Sequence, residues 1–281
     1  DSLITSLSNI STAGLMNLNN GNIISYGLAV KIIITTFAFM SSLNFSILLL
    51  ATMRKFRELT EGPELKFHSG RILTTAIFIT GILYITYNRS LSSLKEFGNV
   101  LMQVNSYFTT AGYQISDTSR WPGAACVIIL VQMFIGACAI SSGGGIKAAR
   151  TIIALKTASR TLYHHIHKNA IRPIKYAGTP LKLNTLLRCN LYIVMFVVTF
   201  LFGALILSIN LDLNTALNTS LAMLTNTGTY INQTATPGII DDYSIVSKVT
   251  MMFLMLAGRL EIYPVILIFF KSFWKNDNDF L

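Results

Sequence analysis

Thr109-Thr110-Ala111-Gly112-Tyr113 is the stretch on which the reading of this chain turns, because it occurs three times. Ser11-Thr12-Ala13-Gly14-Leu15 precedes it and Thr225-Asn226-Thr227-Gly228-Thr229 follows it more loosely, which sets Gly14, Gly112 and Gly228 at spacings of 98 and 116 residues. Self-similarity of this kind marks a repeated structural unit and governs the reading of every element around it. Half-length apolar stretches, Leu91–Tyr107 and Asp212–Thr225, lead into the second and third copies, and a longer apolar run stands before each of them. Another long run follows every copy. The unit is a span, a half-helix, a small-residue turn and a second span. A lone Thr-Ala-Gly is a tight turn or a helix-packing surface; three copies in step with the long runs make a common architecture the stronger reading.

The surrounding composition fits a bilayer. Of 281 residues, 52% are hydrophobic and 12% charged, with a mean hydropathy of +0.55; soluble domains carry roughly 25% charged residues. A disordered chain, a disulfide-stapled secreted module and an ordinary cytosolic enzyme are excluded on those numbers. Cys126, Cys138 and Cys189 lie in or beside apolar stretches and read as reduced packing residues. A bilayer core about 30 Å thick needs about 20 apolar residues in a helix. Five runs meet or approach that: Asn22–Met53, long enough to cross with tilt or a kink; Ile72–Tyr87, which is short; Trp121–Ile140; Leu186–Ile209; and Tyr243–Phe273. The two half-length stretches are too short and polar to cross, and hydropathy alone fits them either to re-entrant half-helices or to surface helices.

Charge sets an orientation. Of 22 Lys and Arg, five fall in Arg54–Arg71 (Arg54, Lys55, Arg57, Lys66, Arg71), nine in Lys147–Arg188, and two, Lys271 and Lys275, in the tail. The opposite loops hold only Arg89, Lys95, Arg120 and Lys248, beside Glu96, Asp117, Asp212, Asp241 and Asp242. The positive-inside rule makes the first group and the C-terminus cytoplasmic and the three turns extracellular. The net charge of +10 therefore reports topology, and no nucleic-acid partner is expected.

Turns of Thr, Ala and Gly can direct main-chain carbonyls at a common axis, since Gly tolerates unusual φ and Ala adds little bulk. Rings of carbonyls replace the hydration shell of a small cation, and a half-helix would point its partially negative C-terminal end at the ion. No carboxylate falls within the three clusters, so backbone dipoles, rather than a charged ring, would confer selectivity. Ser141-Ser142-Gly143-Gly144-Gly145 interrupts the third long run. It fails as a phosphate loop, because Ile146 and Ala148 flank Lys147 where Gly and Ser or Thr are required. It remains either an irregular segment at membrane depth or a helix C-cap at the membrane exit. Arg259 lies within the last run, where a charge is costly and faces protein or a water-filled cavity; Glu261, two positions on, falls on a different helix face. Lys31 could snorkel outward and is assigned no role. His164, His165 and His167 lack neighbouring Cys or carboxylates and read as a solvated surface. No nucleophile–base pair stands at membrane depth. The rivals from other classes are a membrane-embedded enzyme and a scaffold without a pore.

Trp121-Pro122, Ser141 to Lys147, Met255-Leu256-Ala257-Gly258-Arg259-Leu260-Glu261, the linker His165 to Pro173 and Phe273-Trp274-Lys275 together resemble the Trk/Ktr/HKT superfamily of potassium transporters, most closely the bacterial TrkH/TrkG-type potassium uptake proteins. The resemblance implies an all-α membrane protein of M1–pore helix–M2 units around a pseudo-four-fold pore, with N-terminal repeats missing. On it, 1–53 is the remainder of repeat 2, 54–70 a cytoplasmic loop, 71–160 repeat 3, 161–185 a cytoplasmic linker and 186–281 repeat 4. The chain is then expected to be the C-terminal part of a longer subunit, and residues 1–281 alone should not transport potassium.

The resemblance further implies a potassium-binding filter from Ser11, Thr12, Ala13, Gly14, Thr109, Thr110, Ala111, Gly112, Asn226, Thr227 and Gly228, with potassium as substrate and no cofactor bound by this chain. It implies a gate from Ser141, Ser142, Gly143, Gly144, Gly145 and Arg259. A sodium-permeable or cation-coupled relative is the alternative within the superfamily. Expected partners are the lipid bilayer, a second copy in a homodimer, and a cytosolic nucleotide-binding regulatory subunit of TrkA/KtrA type on the basic linker. The expected location is the bacterial cytoplasmic (inner) membrane, multi-pass, with the C-terminus in the cytoplasm.

Overall fold

The computed structural model describes residues 2–14, 23–55, 62–87, 93–118, 121–168, 173–228, 243–268 and 274. In chain order these form α1 (Ser2–Ile10), α2 (Leu28–Ser41), α3 (Phe45–Thr52), α4 (Pro63–Thr86), α5 (Ser93–Phe108), α6 (Gly123–Ile135) and α7 (Ala148–Ile166). A hairpin of β1 (Lys175–Tyr176) and β2 (Thr179–Pro180) follows, then α8 (Leu183–Leu207), α9 (Leu213–Leu224), α10 (Ile245–Arg259) and α11 (Ile262–Leu267). Arg57, Arg89, Arg120, Arg172, Asp241, Asp242, Lys271 and Lys275 of the charge pattern, Leu15 and Thr229 of the repeats, and Phe273 of the tail motif lie outside the described residues.

Among the described residues, α4 and α8 are long and apolar enough to cross a membrane singly, and α2 with α3 qualifies only as a pair. Three of the five expected spans are interrupted. Of the two forms open to Asn22–Met53, tilted or kinked, the structure has the kinked one: α2 and α3 meet at 106°. Ser41 and Ser42 return their hydroxyls to the carbonyls of Ala38 and Phe39 (2.8 and 2.7 Å), and Asn44 starts α3 by accepting from the Ser46 amide at 2.9 Å. Such side chains compete with the backbone for the helix ladder and weaken it, here at the helix end. Trp121–Ile140 also ends early. Gly136 takes φ 66° directly after Ile135, and irregular backbone continues to Lys147. Tyr243–Phe273 divides at Leu260 and Glu261, where Glu261 has φ 64°.

One span is longer than expected. Pro63 opens α4 at its first turn, where a missing amide costs nothing, so much of the segment 54–70 assigned to a loop is helix. The half-length helices α5 and α9 are no surface helices. Thr219 to Leu224 are buried on every side of α9, and Val104 to Phe108 likewise close α5. The long helices have the opposite pattern to a soluble bundle: Phe78 and Ile85 of α4 and Leu201 and Phe202 of α8 face outward. Lipid removes most of the hydrophobic drive between helices, so close packing and internal hydrogen bonds hold them. Accordingly a Cβ on Gly203 would come within 2.7–2.9 Å of Leu254 and Ser220, and the Ser220 hydroxyl bonds the Phe200 carbonyl at 2.8 Å. Phe134 fills the junction of α6 and α8 edge-on to Phe200 at 4.9 Å.

Candidate functional site

Helices α1, α5 and α9 end in the same way. The first turn residue, Ser11, Thr109 or Thr225, returns its hydroxyl to the carbonyl four back, at 2.9, 2.8 and 2.8 Å. The second, Thr12, Thr110 or Asn226, is left-handed with φ 53°, 56° and 57°. The third donates its amide five residues back, Ala13 to Ser8, Ala111 to Ser106 and Thr227 to Ala222, at 2.9, 3.1 and 2.9 Å. The fourth, Gly14, Gly112 or Gly228, is left-handed again at 67°, 72° and 71°. The first bonds of each turn are those of a Schellman cap. Thr225 therefore belongs with Ser11 and Thr109, as the repeat had it, although the expected filter residues of the third turn began at Asn226.

A β-branched residue in the left-handed region is strained, by roughly 1–2 kcal/mol. Thr12 and Thr110 keep it because one segment holds them. The Thr12 hydroxyl donates to the Ser142 carbonyl at 3.1 Å, and the Gly144 amide donates to the Thr110 hydroxyl at 3.0 Å. The same segment reaches the third turn: a Cβ on Gly144 would overlap the Thr225 carbonyl. Turns one and two also meet directly, since a Cβ on Gly14 would stand 2.8 Å from the Ala111 carbonyl oxygen. Arg259, exposed at the end of α10, donates through Nη1 to the same Ser142 carbonyl. All three turns, Ser141–Gly145 and Arg259 thus converge.

The segment Gly136–Lys147 closes on itself and on its neighbours. The Ile146 amide bonds the Phe134 carbonyl and the Ala148 amide the Ala137 carbonyl, at 2.9 and 2.8 Å. Lys147 Nζ donates back to the carbonyls of Ser141 and Gly143. The Cys138 amide bonds the Ser42 carbonyl at 3.1 Å, and the Ser142 hydroxyl bonds the Ser41 carbonyl at 2.9 Å, so the breaks after α2 and α6 are stitched together. Close backbone approach explains the glycines: a Cβ on Gly145 would lie 2.6 Å from the Gly136 Cα. The helix C-cap alternative does not describe this segment, because α6 ends at Ile135, six residues before Ser141.

A family model described as a cation transport protein, TrkH, matches residues 1–277. The chain belongs to the TrkH family. Membership sets it among cation transport proteins and not among enzymes. It is 27% identical over 258 residues to the Trk system potassium uptake protein TrkH of Halomonas elongata, covering 88% of this chain and 51% of that protein. It is 29% identical over 252 residues to TrkH of Escherichia coli K12, again covering 88% and 51%. The Trk system potassium uptake protein TrkG of E. coli K12 is 24% identical over 250 residues, covering 88% of this chain and 50% of that one. The chain thus spans about half the length of the curated relatives it matches. The crystal structure of the potassium transporter TrkH from Vibrio parahaemolyticus superposes with a TM-score of 0.88 at 24% identity, over 98% of this chain and 59% of that one. The fold is therefore that of TrkH.

Several residues packed around the converging turns carry no signal of a role in the sequence. Glu64, His68, Arg71 and Thr75 form a buried polar stripe on α4. Arg71 donates to His68 Nδ1 at 3.1 Å and to the Gly136 carbonyl at 2.6 Å, capping the broken end of α6, and lies 4.6 Å over the Phe108 ring. With Nδ1 accepting, His68 Nε2 is the protonated nitrogen and donates to the Ser42 hydroxyl at 3.1 Å. Glu261 pairs with Arg150 of α7 at 2.7 Å, and the Arg150 guanidinium lies 4.0 Å over Tyr192. Lys31 is a tether rather than a free snorkel, donating to the Ile115 carbonyl at 3.3 Å. His164, His165 and His167 are exposed at the end of α7.

Proposed function

We propose that this chain is part of a subunit that moves potassium across the bacterial cytoplasmic membrane, with the turns Ser11–Gly14, Thr109–Gly112 and 225–228 forming part of a carbonyl selectivity filter. The observation that carries this reading is the convergence of three identically folded, carboxylate-free turns on one segment. Naked carbonyl dipoles suit a monovalent cation that sheds its water. In the same reading α1, α5 and α9 are pore helices that turn their negative ends to the ion. Ser141–Gly145 is the gate beneath the filter, held shut by the hydrogen bonds to Thr12 and Thr110. Arg259 sets its positive charge beside the path and keeps cations from being bound too tightly. The relatives' printed role as Trk system potassium uptake proteins supports the choice of ion.

The basic face is cytoplasmic in this reading, with the C-terminus inside. Exposed Lys156, Arg160, Lys175 and Lys182 offer a docking charge for a nucleotide-binding regulatory subunit, and a second copy completes a homodimer. The test is complementation. The full-length gene should restore growth of a potassium-uptake-deficient bacterium on low potassium and should support rubidium uptake. Growth that stays dependent on high potassium, with the protein present in the membrane, would overturn the proposal.

A further inference from the structure

A single buried carboxylate ties the hairpin after α7 to the glycine segment. Glu64, in the first turn of α4, accepts the Ala139 amide on Oε2 at 3.1 Å and the Tyr176 hydroxyl on Oε1. Burial, together with the carboxylate that accepts its proton, pushes the Tyr176 phenol above its ordinary range, so the hydroxyl stays a donor. The hairpin presenting Tyr176 is firmly built. Its register pairs Lys175 with Pro180 and Tyr176 with Thr179. Ala177 and Gly178 supply the two consecutive positive φ values, 47° and 83°, that a two-residue turn of this hand demands. It is docked on α7 and α8 by buried Ile174 against Ile153 and Leu186, and by Lys156 donating to the Lys175 carbonyl at 2.9 Å. The other end of the path is the site itself. Three residues beyond Ala139, the Ser142 carbonyl takes the bonds from Thr12 and Arg259.

We propose that the hairpin is a lever on the glycine segment: Tyr176 and Glu64 are positioning residues that hold Ala139, and displacing the hairpin releases the segment from the turns. This rests on the reading of Ser141–Gly145 as a gate only for its effect on flux, not for the mechanical coupling. The coupling is tested without transport. Hydrogen exchange is followed on the purified full-length protein and on its Tyr176→Phe, Glu64→Ala and Tyr176→Phe/Glu64→Ala variants. Tyr176→Phe should speed exchange at residues 137–145 by about fivefold, the factor that loss of one ordinary hydrogen bond gives, with α9 unchanged. The double variant should exchange there no faster than Glu64→Ala alone. Gly178→Ala, which meets open space but disfavours the turn, should act in the same direction without touching Glu64. In liposomes, Tyr176→Phe should raise the open fraction severalfold with unitary conductance and the potassium-to-sodium ratio unmoved. Unchanged exchange at 137–145 in a folded Tyr176→Phe protein, or additive effects in the double variant, overturns the lever. Faster exchange in a protein that carries no potassium would leave the lever standing and remove the transport reading instead.

Discussion

Arg71 is a cation buried in a long apolar helix, and its setting shows why it is tolerated: the guanidinium serves the Gly136 carbonyl, His68 and the face of Phe108. Truncating it strands a buried carbonyl, and hydrogen bonds to charged groups contribute about 1.5–3 kcal/mol. Arg71→Leu should therefore lower the thermal unfolding midpoint of the detergent-solubilised protein by several degrees, while Arg71→Lys recovers part of the loss. Arg259→Ala should behave differently. Its side chain is exposed, so the midpoint should hardly move, whereas single-channel recordings should show altered conductance or cation affinity through loss of the charge and of the bond to Ser142. Arg259 was legible in the sequence because it stands deep in an apolar run, with Glu261 on a different helix face. Arg71 was not: it closes the basic segment Arg54–Arg71 and so reads as one more cytoplasmic charge. The spacing Glu64, His68, Arg71, Thr75 places all four on one helical face, and that stripe is the signal that would have found it.

At the scale of elements, the glycines separate into two kinds. Gly144 has the Thr225 carbonyl where a Cβ would go, and backbone cannot step aside, so Gly144→Ala should displace the segment and collapse the yield of folded protein in gel filtration. Gly70, inside α4, meets nothing within 4 Å, and Gly70→Ala should stabilise by up to about 1 kcal/mol through helix propensity. Helices α5 and α9 were legible as half-length elements from length alone. Their burial was not, because hydropathy cannot tell a helix wrapped in protein from one lying on a surface. The length of Asn22–Met53 allowed a kink without placing it, and nothing in the sequence marked the breaks at Gly136 and Glu261, since the residues on either side stay apolar and a hydropathy window averages across them. Only Ser141–Gly145 announced a break, and the irregular backbone begins five residues before it.

Across the whole molecule the repeat was the most legible feature, because three turns of one backbone shape need the same residue classes in the same order. What the sequence left out is how they meet. Turns one and two touch backbone to backbone at Gly14 and Ala111, so Gly14→Ala and Gly112→Ala should not act independently. A double-mutant cycle on potassium flux through the full-length protein should show a coupling of 0.5 kcal/mol or more, roughly the level found for residues in contact. Additive losses would mean that the turns work separately. The sharp angle after α2 has a consequence for the surrounding lipid. Even laid along the membrane normal, its 14 residues rise only about 21 Å, well short of a hydrocarbon core of about 30 Å. Beyond the bend α3 buries none of its side chains and leaves Phe45 and Leu49 outward. Where a flank this short meets lipid, thinning of the bilayer, snorkelling side chains or a further helix laid against it makes up the difference, and a thicker membrane would press on the joint at Ser42 that Cys138 and His68 hold.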